Sequence, residues 1–479
     1  MTRASVVVVG GGIAGLAAAW ELSKAPQPPR IEVIESSTRV GGSLAATTFA
    51  DREVDLGADG YLARRPEATE LVAELGLGDQ LEPVDASGAS IWLRGALFEI
   101  PPGVVLGVPT SLDAVRAVAG LSRHARWAAW RDEHWPRSLD VGDDVTIGEI
   151  VRTKLGPELA YRFIEPMVGG IQAGRIDDLS AKSVFPGLYE AARRGGSLMK
   201  ALRPAPAGPV PTATAPRNEP MFYSLVGAVG SLPVELARQL RERGVIIREG
   251  VAVTALRRIG TGDYPWEVDT SGTTTPADAV VLAAPAPVAG RLIGELDPAL
   301  AALRDVTYAG AAMVTLAYDR DLVTLPAHGT GVLIPLNTLW RGEGSLMVTA
   351  ITFLDRKWPH LRRDDDVLVR AHVGRSDDDR WSTLSDEELI ARVATELAVV
   401  LARAGSPRAA MVQRWPEGLP QYRVHHDRLV ADARSAAGAL DVALAGCAYD
   451  GVGVPASIGS GRRAARAALA ILAARVVQR

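Results

Sequence analysis

Cysteine is nearly absent: Cys447 stands alone among 479 residues. That excludes a disulfide framework and suits a reducing cytoplasm. Lysine is scarce as well. Lys24, Lys154, Lys182, Lys200 and Lys357 are outnumbered by arginine within the 52 basic residues, which reads as the coding bias of a GC-rich genome before it reads as chemistry. There is no basic excess, since the net charge is −4, and so no nucleic-acid partner is implied. No run of roughly 18 apolar residues escapes glycine or charge, which argues against a spanning helix. Peripheral membrane contact stays open. Metal-ligand spacing is missing: His425 and His426 are adjacent, poor geometry for one ion, and no H-E-x-x-H occurs. Nor is there a G-x-S-x-G elbow for a serine hydrolase. The triplets Asp364–Asp365–Asp366 and Asp377–Asp378–Asp379 read as solvated loops. The length suits two or three domains.

The most informative stretch is Val6 to Leu16, VVVVGGGIAGL. Four valines make a buried strand, and an Ala-rich helix follows. Gly10 suits a tight turn, Gly12 a close approach of backbone to a pyrophosphate, and Gly15 close helix–strand packing. Phosphates would sit at the helix N-terminus. A second strand, Ile31 to Ile34, ends at Glu35, where a ribose-binding acid belongs in a dinucleotide fold. Arg3, the apolar run and Ala17–Ala18–Ala19 loosely imitate a secretory signal. Glycines at functional spacing, and the lack of a clean fold start after Ala19, argue for the dinucleotide. Arg39–Val40–Gly41–Gly42–Ser43 then reads as a second phosphate-binding turn, in which Arg39 can reach a ribityl or phosphate oxygen. Such a turn separates FAD-type Rossmann domains from simple NAD-binding ones.

Beyond these turns the spacing predicts a helix over 66–75, a short strand pair over 91–97, and amphipathic helices over 111–135, 146–155 and 157–168. Trp127, Trp130 and Trp135 stand there among Arg123, Arg126, Arg131 and Arg137. That mixture fits a helical subdomain with arginines outside, a lid, a partner face or a membrane-surface patch. The proline-rich stretch 203–220 reads as a stiff or disordered connection. Ser231 is expected to open a helix to Arg243. Strands are expected at 245–247 and 251–256, then at 266–270 and 274–283 to complete a meander whose apolar last strand lies deep. Residues 306–318, 330–335, 345–353 and 367–373 predict an antiparallel sheet flooring a cavity. Ser385 and Glu388 form a capping box for a helix to about Ala404. Near the end, a strand at 444 leads through a Gly-rich turn to a helix over 457–475, whose N-terminus can stabilise negative charge.

Four separated signatures carry a resemblance: GGGIAGL, ESSTRVGGS, QRWPEGLPQY at Gln413 to Tyr422, and AGCAYDGVGVPASIGSGR. Together they resemble the flavin amine oxidase superfamily and, more narrowly, the protoporphyrinogen/coproporphyrinogen oxidase family, closest to the forms of high-GC Gram-positive bacteria. The similarity spans nearly the whole chain. It implies an α/β fold, α+β overall: a Rossmann-type FAD-binding domain, an antiparallel-sheet substrate domain and a helical insertion, often membrane-associating. The expected partition is FAD-binding 1–75, 221–300 and 413–479, substrate domain 76–100 and 301–412, and insertion 101–220. The resemblance places Gly10, Gly12, Gly15, Glu35, Arg39, Gly41, Gly42 and Ser43 on the ADP and ribityl parts of FAD. Gly57 and Ala58 fall near the isoalloxazine, Val253 beside the adenine, Trp415 near the cofactor, and Val454 and Ala456 under the pyrimidine ring. Arg65 matches an arginine holding a substrate propionate, and Arg64 can do the same. No general base is assigned.

The implied activity is the O2-using, six-electron oxidation of coproporphyrinogen III to coproporphyrin III, releasing hydrogen peroxide, in heme synthesis. FAD is expected to be non-covalent. Ferrochelatase is a possible receiver of the product, and the expected place is the cytoplasm or the inner membrane face. Protoporphyrinogen IX is the nearest alternative substrate. An amine oxidase would want an aromatic cage, which 5% aromatic residues supports poorly. A carotenoid desaturase would want an apolar tunnel, and a flavin-dependent isomerase would show no net use of O2.

Overall fold

A computed structural model of the chain describes residues 3–86, 88–118, 120–203, 220–259, 264–336, 338, 344–401 and 404–478. Nearly all of the proline-rich stretch lies outside them. The chain divides into two compact units. The first comprises Met1–Pro83, Pro220–Thr307 and Asp427–Arg479, and the second Val84–Glu219 and Tyr308–His426.

The first unit is built on a five-stranded parallel sheet. Its order is Ile246–Arg248, Arg30–Ile34, Ser5–Val9, Ala279–Leu282, Val442–Leu444. Ser5–Val9 is buried along its length, as a central parallel strand covered on both faces must be. The helix Ile13–Ser23 covers it with Ala17, Ala18 and Ala19, all fully buried. These small residues permit close helix crossing. A Cβ on Gly461, in the helix Val454–Gln478, would fall 2.0 Å from the Ala14 carbonyl oxygen. Chain order runs outward both ways from Ser5–Val9, so the sheet has a topological switch point beside it, where ligands of such folds bind.

Two expectations need correction in this unit. Residues 274–283 are not one strand. Thr274–Ala277 closes the antiparallel meander with Val253–Arg258 and Trp266–Thr270, whereas Ala279–Leu282 joins the parallel sheet, deep as expected. Asp278 makes the break. Its carboxylate accepts the Ser5 N–H at 2.8 Å, and its own N–H donates to the Ser5 carbonyl at 2.9 Å. Ser231 does not cap the helix Leu232–Glu242, because its hydroxyl donates to the Ala228 carbonyl instead. Pro233, in the first turn, needs no N–H partner there.

The second unit holds a seven-stranded sheet in the order Ala409–Pro420, Tyr308–Asp319, Asp366–Val373, Val348–Phe353, Gly331–Leu333, Ser90–Leu93, Ala96–Glu99. It is antiparallel except where Gly331–Leu333 runs parallel to Ser90–Leu93. The capping box forms: Ser385 accepts the Glu388 N–H, and Glu388 accepts the Ser385 N–H. That helix, Asp386–Val400, fastens to the sheet through Glu396, which is fully buried and accepts the N–H groups of Met347 and Val348. The helical segment shares this unit around an apolar core of its own. Its third expected helix runs on to Gln172, with a π-turn at Ala160–Ile164. Pro166 lacks the N–H that would bond the Arg162 carbonyl, which favours the widened turn. The expected boundary at 412/413 falls inside Ala409–Pro420, a single strand paired along Tyr308–Ala317.

Candidate functional site

The two glycine turns of the first unit are stitched together. Gly12 and Gly41 form a parallel bridge, and the Gly41 N–H donates to the Gly11 carbonyl at 2.8 Å. Gly10 (φ +106°) and Gly41 (φ +102°) take backbone angles that side chains resist. Close approach explains others. A Cβ on Gly15 would sit 1.9 Å from the Gly10 carbonyl oxygen, and one on Gly57 2.2 Å from the Ser43 oxygen. Gly12 differs, for its Cβ would meet nothing within 4 Å. It stands at the start of the helix Ile13–Ser23 with no side-chain cap. Bare glycine and an uncapped helix N-terminus are what a pyrophosphate needs.

Glu35 is buried at the edge of this cradle. Its Oε2 accepts the Gly11 N–H at 2.6 Å and its Oε1 the Ser37 N–H at 2.7 Å. A carboxylate accepts about four hydrogen bonds, so capacity remains for ribose hydroxyls. Backbone bonds from Val251 N–H to the Glu35 carbonyl (2.9 Å) and Gly250 N–H to the Ser37 carbonyl (2.7 Å) bring the chain leading to Val253 alongside. Arg39 is exposed at the head of the second turn and donates to the Val40 carbonyl. Gly10, Gly12, Gly15, Glu35, Gly41, Gly42, Ser43 and Gly57 therefore belong to one constellation, and these residues fit an extended dinucleotide. Ala58 follows, exposed.

Val454 and Ala456 form the buried first turn of the helix Val454–Gln478, which starts three residues earlier than expected. A short helix, Cys447–Asp450, also interrupts the Gly-rich turn. Asp450 pins that turn. It accepts Arg434 at 2.5 Å, Arg463 at 2.7 Å and the Ser460 hydroxyl, while Ser460 accepts the Gly446 N–H at 3.0 Å. Sequence reasoning missed this role: the partners come from separate helices at spacings that form no motif. Burial pushes the Cys447 thiol up to about 11. Arg64 and Arg65 are exposed just before the helix Pro66–Glu74, where Arg65 pairs with Glu67. Trp415 lies in the second unit, half-buried opposite Ala311.

A second charged cluster, also unforeseen, lies in the second unit. Glu165 is almost fully buried. Its Oε1 is 3.0 Å from Arg175 Nε, and its Oε2 accepts the Ile176 N–H at 3.0 Å. Burial outweighs the nearby Arg175 and Arg375 and lifts its carboxyl to about 7. Arg175 also pairs with Asp377 at 2.6 Å.

Residues 13–469 match the flavin-containing amine oxidoreductase family. The chain is 33% identical to the coproporphyrinogen III oxidase of Bacillus subtilis over 98% of both chains, and 34% identical to that of Mycobacterium leprae over 98% of both. Among solved structures, an Exiguobacterium sp. 255-15 protein named as a candidate protoporphyrinogen oxidase superposes with a TM-score of 0.83, at 31% identity and over 99% of each chain. The glycine cradle, the buried Glu35 carboxylate beside it and these full-length likenesses agree: the chain is an oxidoreductase that belongs to the flavin-containing amine oxidoreductase family, and the dinucleotide its cradle suits is FAD.

Proposed function

We propose that this chain is a coproporphyrinogen III oxidase of heme biosynthesis, converting coproporphyrinogen III and three O2 into coproporphyrin III and three hydrogen peroxide. The observation that carries the reading is end-to-end likeness to proteins of that name. Protoporphyrinogen IX is the second reading, favoured by the name borne by the Exiguobacterium structure. Bound FAD supplies a two-electron acceptor that O2 reoxidises, so three rounds account for six electrons.

The chain's own residues bind and orient. Backbone N–H groups of the two glycine turns hold the pyrophosphate, Glu35 the ribose, and Arg39 and Ser43 the ribityl chain. Gly57, Ala58, Val253, Val454, Ala456 and Trp415 border the rings, and the helix N-terminus at Val454 favours negative charge beside it. The raised Cys447 thiol is a poor nucleophile at neutral pH, which supports non-covalent attachment. Arg65, with Arg64 beside it, binds a substrate propionate. Positioning and the drive toward aromaticity carry the step without a strong base.

The same reading includes FAD-binding, substrate and helical parts, with the last FAD-binding segment beginning beyond the strand Ala409–Pro420, a cytoplasmic location and handover of product to ferrochelatase. It also includes peripheral contact with the inner membrane face. Among the described residues no helix is long and apolar enough to cross a membrane. Trp127 (56% exposed) and Trp135 (68%) flank Trp130 on the Arg-rich helix Arg123–His134 and its end, a surface suited to anionic headgroups. Vesicles rich in phosphatidylglycerol should sediment the protein, and a Trp127→Ser/Trp135→Ser variant should stay in solution. Equal sedimentation of both removes the contact from this helix.

The decisive assay supplies coproporphyrinogen III to the yellow holoenzyme. Red porphyrin fluorescence should rise with about three peroxides per porphyrin, a ratio fixed by two-electron steps. Arg65→Ala should raise KM on the order of tenfold, the loss of one charge-assisted hydrogen-bonded pair, at unchanged FAD content. Oxidation of amines with no porphyrin response overturns the reading.

A further inference from the structure

Arg65, assigned above to a substrate carboxylate, already holds one. Its Nη2 lies 2.9 Å from Glu67 Oε1 and its Nε 3.3 Å from Oε2, two parallel contacts of the kind an arginine makes with any carboxylate ligand. The pair is exposed enough to exchange, with side chains 45% and 22% accessible. Arg64, next in the chain and also exposed, has no ion-pair partner among the described residues.

A second cation waits behind Glu67. A Cβ on Gly459 would lie 3.3 Å from Glu67 Oε1 and 3.4 Å from Arg463 Nη1, so carboxylate and guanidinium flank that bare glycine without yet being paired, near enough for Arg463 to act on the Glu67 charge. Arg463 is meanwhile paired with Asp450, which keeps Arg434 and the Ser460 hydroxyl if Arg463 turns away. Three cations (Arg65, Arg434, Arg463) face two carboxylates (Glu67, Asp450), which leaves one positive charge unmatched. The surplus equals one ligand carboxylate. Burial works against the charged form of Glu67, yet Arg65 and Arg463 together hold its carboxyl below the usual range, so it stays an anion able to occupy either arginine.

We propose that Glu67 is an internal carboxylate that occupies Arg65 in the free enzyme and passes to Arg463 when a substrate propionate takes its place. Glu67 is then a specificity-setting residue: a ligand must bring its own carboxylate to displace it, and the displaced group is never left unpaired. The proposal rests on the reading of Arg65 as a propionate-binding residue.

Steady-state kinetics of the holoenzyme with coproporphyrinogen III and with its uncharged tetramethyl ester test it. Glu67→Gln should lower KM for the tetra-acid about three- to fivefold, the range set by one exposed ion pair, with the change in KM rather than kcat and no change for the ester. Arg463→Gln, which strands the displaced Glu67, should raise KM for the tetra-acid and leave the ester alone. A KM for the tetra-acid that Glu67→Gln leaves unchanged, or an equal fall for both substrates, overturns the exchange. Should Glu67→Gln fail to load flavin, an unaltered KM in Arg463→Gln overturns it equally. Arg65→Ala separates the two levels: a raised KM there, with no response to Glu67→Gln, sinks the exchange alone, whereas no response to Arg65→Ala removes Arg65 from the site and takes the underlying reading with it.

Discussion

Gly12→Val is expected to give a folded but colourless protein. Gly12 has φ −65° and ψ 172°, extended backbone open to any residue, and a Cβ added there meets no protein atom within 4 Å. Stability should therefore change by less than about 1 kcal/mol, the usual range for a substitution with no packing penalty. The valine would nevertheless fill the space in front of the N-terminus of the helix Ile13–Ser23, where the proposed pyrophosphate site lies. Affinity for FAD should fall on the order of a hundredfold or more, the consequence of blocking a backbone-lined phosphate site. Gly15→Val is the contrasting case: its Cβ would clash with the Gly10 carbonyl oxygen, so folding itself should fail. Circular dichroism with thermal melting, set beside visible flavin absorbance, distinguishes the two. A Gly12→Val protein that purifies yellow at full occupancy would falsify the cradle.

Glu165→Gln is expected to stabilise the protein at pH 8 and to do nothing at pH 4. The Glu165 carboxyl titrates at about 7 in the fold, against the ordinary 4.5. Burial is the main cause and Arg175 offsets it incompletely. The folded state thus prefers the proton more strongly than the unfolded chain does. Below the ordinary value both states are protonated and there is no penalty. Above it the unfolded chain ionises first, and stability falls until the folded carboxyl also ionises near pH 7. The ceiling is about 3 kcal/mol, at about 1.4 kcal/mol for each pH unit between the two values. The substituted amide cannot ionise, so the variant should lose that decline, while its oxygen can still accept the Ile176 N–H. Urea midpoints of wild type and variant across pH 4 to 8 should coincide at the acid end and separate above pH 5. Parallel curves would show that Arg175 fully compensates the buried charge.

The parallel core was legible because its signals are local. Four valines, three glycines at fixed offsets and an acid at the end of the next strand report their environment within 35 residues. The second turn was legible for the same reason, although its bridge to Gly12 was not. What escaped depends on distant partners. Nothing near Asp278 announces that Ser5 will bend the chain from one sheet into another. Nothing near Asp450 announces Arg434 and Arg463. Glu67 stands two residues from Arg65, yet their pairing is a matter of side-chain direction at a helix start, which spacing alone leaves open. Ser231 had the right residue type for a cap and still turned elsewhere, because the Ala228 carbonyl lay within reach. The boundary expected at 412/413 divides a strand because motif and strand are different units: the Arg–Trp–Pro text goes with the flavin signatures, whereas its backbone hydrogen-bonds along Tyr308–Ala317.

The crossing of Gly461 over Ala14 sets an order of events during synthesis. The helix Ile13–Ser23 leaves the ribosome early, but its covering partner Val454–Gln478 is made more than 400 residues later. Until then the alanine face of the early helix has no lid and the parallel sheet lacks its edge strand Val442–Leu444. The inserted unit is translated through His426 before that, so it can mature on the nascent chain. Prosthetic-group loading is therefore expected to follow translation, and cells starved of riboflavin should accumulate full-length apoprotein rather than stalled fragments.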